Sequence, residues 1–298
     1  MKRIIEYYYS FKNIDINKIS NEYFFKYNNK KYIFMPTRRS NEELKILSDI
    51  LRNNKKYNKI IYNIFNQLIT LVDGKQYILV EKINNYSIEK INIEEMIKIY
   101  RIQNKKEYNP ILRTDWYNLW TKKIDYILYQ REHIRGKYQI IEEYLDYFIG
   151  MAENAISYYK NTIDTMQYND IYALSHRRVK SALKTKYYNI DDLVIDYPVR
   201  TLSEYLKYLF FNDNINFLDA YKFISKINYN QFLYQLLYAR MLFPSYFFDV
   251  YEEIVNNNLS EKEVIPIINR IQKYEQFLKI IFYVINKKTK IPQIEWLS

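Results

Sequence analysis

The residues best suited to chemistry lie in two short stretches. Leu174-Ser175-His176-Arg177-Arg178-Val179 sets an imidazole beside two guanidinium groups, and twenty residues after His176 comes Asp196 in Val194-Ile195-Asp196-Tyr197-Pro198. An imidazole titrates near neutrality, which suits proton transfer or pH sensing; the more ordinary use of a single His is as a hydrogen-bonded structural group. Arg177 and Arg178 could bind phosphate or an acidic partner, or pair with Asp196 or Glu204. Neither can serve as a base, because guanidinium stays protonated. Asp196 could hold a metal, but one carboxylate without an Asn partner is a poor magnesium site, so an ion-pair role is expected. Trp116 and Trp120, four residues apart, would share one helix face, where packing is a commoner use than a ligand cage. His133 stands alone among charges and is expected to be exposed.

The elements that must position these residues fall into two groups. Residues 23–27 and 31–35 are apolar-aromatic runs separated by Asn28-Asn29-Lys30, a hairpin signal. Ser40-Asn41-Glu42-Glu43 matches a capping box, and Leu44, Leu47, Ile50 and Leu51 follow at helical spacing, predicting a helix over 41–53. Residues 67–72 and 75–80 flank the tight-turn pair Asp73-Gly74. Later residues read mostly as helix: 91–104, 115–132, 137–160, 199–211, 217–226, 229–240, 246–257 and 261–286. Brief strands are expected at 171–174 and 192–195, and Pro244 should end a helix. The expected organisation is a small β-rich part over 1–83 and a mostly helical part over 84–298, with the boundary near 81–85.

Composition narrows the classes. The 298 residues suffice for one large domain or two lobes, and 35 Tyr and 16 Phe supply much of the apolar area. Abundant Ile, Lys, Asn and Tyr also fit an AT-rich genome, so Tyr needs no special role. A net charge of +11 favours anionic partners, but the basic residues are dispersed, so nucleic acid is not the favoured partner. With no Cys, disulfides, thiol catalysis and Cys-based metal sites are excluded. No apolar run approaches the roughly 20 residues of a membrane span, and the first residues lack a signal-peptide core. A cytoplasmic location is the simplest expectation.

Three segments taken in order carry a family resemblance: Trp116-Tyr117-Asn118-Leu119-Trp120-Thr121-Lys122-Lys123-Ile124-Asp125; the His176 and Asp196 stretches, the second extended to Tyr205; and Leu237-Tyr238-Ala239-Arg240-Met241-Leu242-Phe243-Pro244-Ser245-Tyr246-Phe247-Phe248-Asp249. Together they resemble the kinase-like spore-coat proteins of the CotS/YutH group, relatives of aminoglycoside phosphotransferases and choline kinases. The resemblance implies an α+β, two-lobed protein-kinase-like fold, with a small antiparallel β lobe and a larger helical lobe. In active relatives the central motif is His-Gly-Asp, with Asn five residues after that Asp and a second Asp further on. The first Asp orients and deprotonates the attacking hydroxyl; the Asn and second Asp hold magnesium on the nucleotide phosphates.

Set against that pattern, Arg178 occupies the catalytic Asp position and Leu183 the Asn position. Asp196 matches the second Asp. A later Asp-Leu-Ala element of the relatives reads Thr201-Leu202-Ser203 here, so its Asp is lost. The first of only three Gly is Gly74, well past any phosphate-covering loop. No Lys stands in the expected slot of Tyr32-Ile33-Phe34-Met35-Pro36; Arg38 and Arg39 lie just beyond and are expected to be solvated loop charges. The resemblance therefore implies a degenerate site around His176, Arg177, Arg178 and Asp196, with no cofactor expected, and a pseudokinase that binds protein partners, spore-coat components among them. Its location would be the spore coat if the source organism sporulates. The alternatives are an atypical small-molecule phosphotransferase using ATP and magnesium at Asp196, and a basic polyanion or nucleic-acid binder.

Overall fold

A computed structural model describes residues 1–54, 56–82, 89–91, 101–102, 106–166, 171–213, 215 and 217–297. The chain packs as two compact units. One comprises Met1–Asn92, Asn104–Leu112 and Lys180–Val194; the other comprises Ile93–Gln103, Arg113–Val179 and Ile195–Ser298.

The first unit contains α1 (Lys2–Tyr9), β1 (Asn17–Ile19), β2 (Glu22–Tyr27), β3 (Lys30–Pro36), α2 (Asn41–Leu51), β4 (Lys59–Ile61), β5 (Ile69–Val72) and β6 (Lys75–Lys82). They form an antiparallel sheet of order β1-β2-β3-β6-β4, with β5 also paired to β6. Both expected hairpins form. Asn28 and Asn29 have φ of 48° and 61°, and Asp73 and Gly74 have 49° and 73°, the positive values that a two-residue hairpin turn demands. Strand alternation sends Phe25, Tyr32, Phe34, Tyr77 and Leu79 to a core shared with Ile5 and Tyr9 of α1. The capping box closes α2: Ser40 Oγ accepts from Glu43 N–H at 3.2 Å, and Glu43 Oε2 accepts from Ser40 N–H at 3.0 Å. Leu44, Leu47 and Leu51 are buried along the helix, which contacts β4.

Arg39 corrects an expectation. It is only 3% exposed, donating through Nε to the Asp191 carbonyl at 2.7 Å and through Nη2 to that of Leu193. Thr37 Oγ1 donates to the Asp191 carboxylate at 2.7 Å. The residues after β3 are thus tied to a distant part of the chain rather than solvated. Arg38 is exposed.

β7 (Arg101–Ile102), β8 (Tyr172–His176) and β9 (Leu193–Asp196) make a sheet of order β7-β8-β9; β7, β8 and Ile195–Asp196 of β9 belong to the second unit. Around them run α3 (Trp116–Ile134), α4 (Gln139–Thr165), α6 (Val199–Tyr208), α7 (Phe217–Ser225), α8 (Gln231–Leu242), α9 (Ser245–Asn257), α10 (Ile265–Ile268) and α11 (Ile271–Lys288), while the short α5 (Lys184–Tyr187) belongs to the first unit. Every residue of α8 from Phe232 to Leu242 is buried. It packs against α4, α6 and α11, so the helix has no polar face. Two expectations change here. The helix expected over 261–286 is broken into a 3-10 turn at Glu261–Val264, α10 and α11, with Pro266 in the first turn of α10, where a ring without N–H is tolerated. The expected helix over 91–104 lies mainly outside the described residues, and Arg101–Ile102 form a strand. Residues 83–85 of the expected boundary also lie outside them.

Candidate functional site

β8 ends at His176 and β9 ends at Asp196; α6 begins three residues later and brings Arg200 back over both strand ends. Arg200 Nη1 contacts Asp196 Oδ2 at 2.5 Å, while its Nε and Nη2 donate to the carbonyls of His176 (2.9 Å) and Arg177 (3.0 Å). One guanidinium therefore joins the carboxylate to the stretch holding His176 and Arg177, using the several donors of its planar fork.

Asp196 is fully buried. Besides Arg200, its carboxylate accepts from the Tyr197 N–H at 2.7 Å and from Trp116 Nε1 at 3.0 Å to each oxygen. Trp116, at the start of α3, stacks on Trp120 with ring centroids 5.1 Å apart. Both are buried, and the Arg240 guanidinium lies 4.9 Å from the Trp116 ring centroid. Burial raises the Asp196 pKa, while Arg200 and Arg240 oppose the rise.

A second set of charges surrounds Glu204, one helical turn beyond Arg200 on α6. Arg240 of α8 donates to Glu204 Oε1 from Nε at 3.1 Å and Nη2 at 2.8 Å; both side chains are nearly enclosed. Arg178 Nη1 lies 3.5 Å from Glu204, and Arg178 makes a two-point bond to Asp249 of α9, Nε–Oδ2 at 2.5 Å and Nη2–Oδ1 at 3.1 Å. Lys207 donates to the carbonyls of Arg240 (2.6 Å) and Phe243 (2.9 Å) and to Ser245 Oγ (3.2 Å), at the turn from α8 to α9.

The electrostatics follow from enclosure. Burial alone would raise Glu204, but Arg178, Arg240 and Lys207 outweigh it and lower its carboxyl to about 2. Burial lowers Lys207 to about 7 despite Glu204. Burial also lowers Arg240 to about 10, with Arg200 adding to the effect. Burial works against the charge on Arg178, yet Glu204 and Asp249 leave its pKa raised.

His176 is 3% exposed; its backbone N–H donates to Thr201 Oγ1 at 3.0 Å, and Nδ1 lies 3.3 Å from the same hydroxyl. The Arg177 side chain is exposed. His133 is exposed, with Nδ1 2.9 Å from the Tyr129 carbonyl. Sequence reasoning raised Arg178 with Glu204 as a pair but gave no role to Arg200, Lys207, Arg240 or Asp249. The signal for Arg200 was present: a cation four residues after Asp196 at a helix start. Nothing in the sequence marks the approach of Arg240 to Glu204, which depends on how α8 packs on α6.

The residues do not fit magnesium. Leu183 holds the position where the family pattern has its metal-binding Asn, and both Asp196 oxygens already accept protein hydrogen bonds. Among the described residues no group of three or more His, Asp or Glu could hold a metal ion. No described helix is long and apolar enough to cross a membrane.

Among solved structures, the chain is similar to an aminoglycoside phosphotransferase from Alicyclobacillus acidocaldarius (TM-score 0.64, 11% identity, 96% of each chain covered). It is also similar to spectinomycin phosphotransferase APH(9)-Ia solved with AMP (TM-score 0.57, 12% identity, 94% of this chain and 96% of the other). At such identities the likeness shows the fold: an aminoglycoside phosphotransferase-like architecture with a small antiparallel β lobe and a larger helical lobe. Endospore coat-associated protein YutH of Bacillus subtilis (strain 168) is 27% identical over 257 residues, 76% of this chain and 75% of that protein. Residues 2–281 match the family described as "Spore coat putative kinase YutH", and the chain belongs to that family.

Proposed function

We propose that this protein is a coat-associated pseudokinase: a phosphotransferase fold retained for binding protein partners, without phosphate transfer. The observation that carries the reading is the state of Asp196. A metal-binding carboxylate must leave oxygen lone pairs open to the cation, whereas this one is buried and accepts from Arg200, Tyr197 and Trp116. The position that would hold the base is Arg178, which is bound to Asp249 and cannot accept a proton. Phosphoryl transfer relies on positioning and charge stabilisation, and a base, a metal-binding Asn, a phosphate-pairing Lys and a Gly-rich loop are all missing from the sequence pattern. The coat association in the name of the Bacillus subtilis relative supports proteins of the spore coat as the partners.

The test is a thermal-shift series with ATP, ADP and GTP, each with and without magnesium. A ligand that binds only the folded state stabilises it by about 2.7 kcal/mol at a hundredfold excess over Kd. The expected result is no magnesium-dependent shift with any nucleotide. A magnesium-dependent rise that disappears in Asp196→Asn would overturn the reading.

A further inference from the structure

The sheet of the first unit carries a row of like charges. In the strand register Lys26 of β2 stands opposite Lys31 of β3, and Lys31 stands opposite Lys82 of β6. Adjacent strands lie about 4.8 Å apart, and like charges set directly opposite one another destabilise a sheet. Lysines on an exposed edge strand are a common guard against aggregation; here Lys31 is paired on both sides, while Lys26 and Lys82 stand just beyond the residues that β1 and β4 pair. Among the described residues none of the three lysines forms an ion pair within 4 Å. Glu22 acts on Lys82 only as a nearby charge.

The row borders a cavity of about 470 Å³, within the range of small-molecule sites. Lys26, Lys31 and Lys82 line it together with Phe24, Asn17 and Asp15. The Lys82 ammonium lies 5.7 Å from the centre of the Phe24 ring. Lys82 is half-buried, and burial first, then Lys31, lowers its pKa while Glu22 opposes them. Three lysines from three neighbouring strands thus direct positive charge at one cavity.

We propose that this cavity binds a small polyanion, two or more clustered phosphate or carboxylate groups held by Lys26, Lys31 and Lys82 beside the ring of Phe24. The concave shape favours a small molecule over a flat protein surface. Asp15 sets a limit, since a ligand must place its charge toward the lysines and away from that carboxylate. This inference is independent of the pseudokinase reading, because none of these residues belongs to the Asp196 and Glu204 clusters.

The experiment is calorimetric titration of the full chain at low salt with two probes, inorganic triphosphate and citrate, which distinguish phosphate from carboxylate as the preferred group. Lys31→Gln is compared with Lys122→Gln, which removes the same charge from an exposed position on α3. Binding of at least one probe is expected, weakened about tenfold or more by Lys31→Gln and little changed by Lys122→Gln. Without ligand, Lys31→Gln should raise the melting temperature by roughly 1–3 °C as the repulsion is relieved. Failure of both probes to bind, or equal weakening in the two variants, would overturn the proposal. So would a fall in the Lys31→Gln melting temperature, which would mean that the row stabilises the free protein.

Discussion

Glu204 joins two cations, meeting Arg240 directly and Arg178 at 3.5 Å. Removing its charge would leave Arg240 enclosed without its hydrogen-bonded anion, with Asp196 only a nearby charge, so Glu204→Gln should destabilise the fold by about 3–5 kcal/mol, measured by urea unfolding. The pH dependence has a definite sign. The folded-state pKa of Glu204 is lowered to about 2 from an ordinary 4.5, so its stabilisation is fully present above about pH 4.5 and is lost as pH falls toward 2. Lys207, lowered to about 7 from 10.5, holds its proton longer in the unfolded chain; stability should therefore rise as pH goes from about 7 to 10.5. Unfolding free energy followed across pH should show both limbs, and Glu204→Gln should remove the acidic one. A wild-type acidic limb that persists in the variant would show that another carboxylate controls it.

At the level of elements, local rules made most of the architecture legible. The capping box at Ser40 and the Asp73-Gly74 turn form as their chemistry dictates. Ser40→Ala should cost about 0.5–2 kcal/mol, and Gly74→Ala about 1–2 kcal/mol, because φ of 73° strains an L side chain; chemical denaturation checks both. The elements that escaped sequence reading lack such signals. In α1, Tyr7-Tyr8-Tyr9 reads as readily as strand as helix, and its helical face is set by packing of Ile5 and Tyr9 on the sheet. β1 and β4 have three residues each, too short for alternation to emerge. At the candidate site the Arg178–Glu204 pair was anticipated, whereas the Asp196–Arg200 pair was missed although its partners stand four residues apart. The site was illegible where partners are joined by helix packing, as with Glu204 and Arg240 or Arg178 and Asp249.

For the whole molecule, the fold is phosphotransferase-like and the family is that of the kinase-like spore-coat proteins. The phosphotransferase-like architecture remains, yet Asp196 and Arg178 are engaged in ion pairs that join α6, α8, α9 and the ends of β8 and β9. Residues that in active relatives would meet a nucleotide and its metal here hold secondary structure together. The most direct test is magnesium-dependent ATP consumption by the purified chain, unsubstituted and with Asp196→Asn, each shown to be folded by circular dichroism. The account predicts background turnover for both proteins. Turnover well above background in the unsubstituted chain, abolished by Asp196→Asn while the fold persists, would contradict it and would make His176 the candidate base.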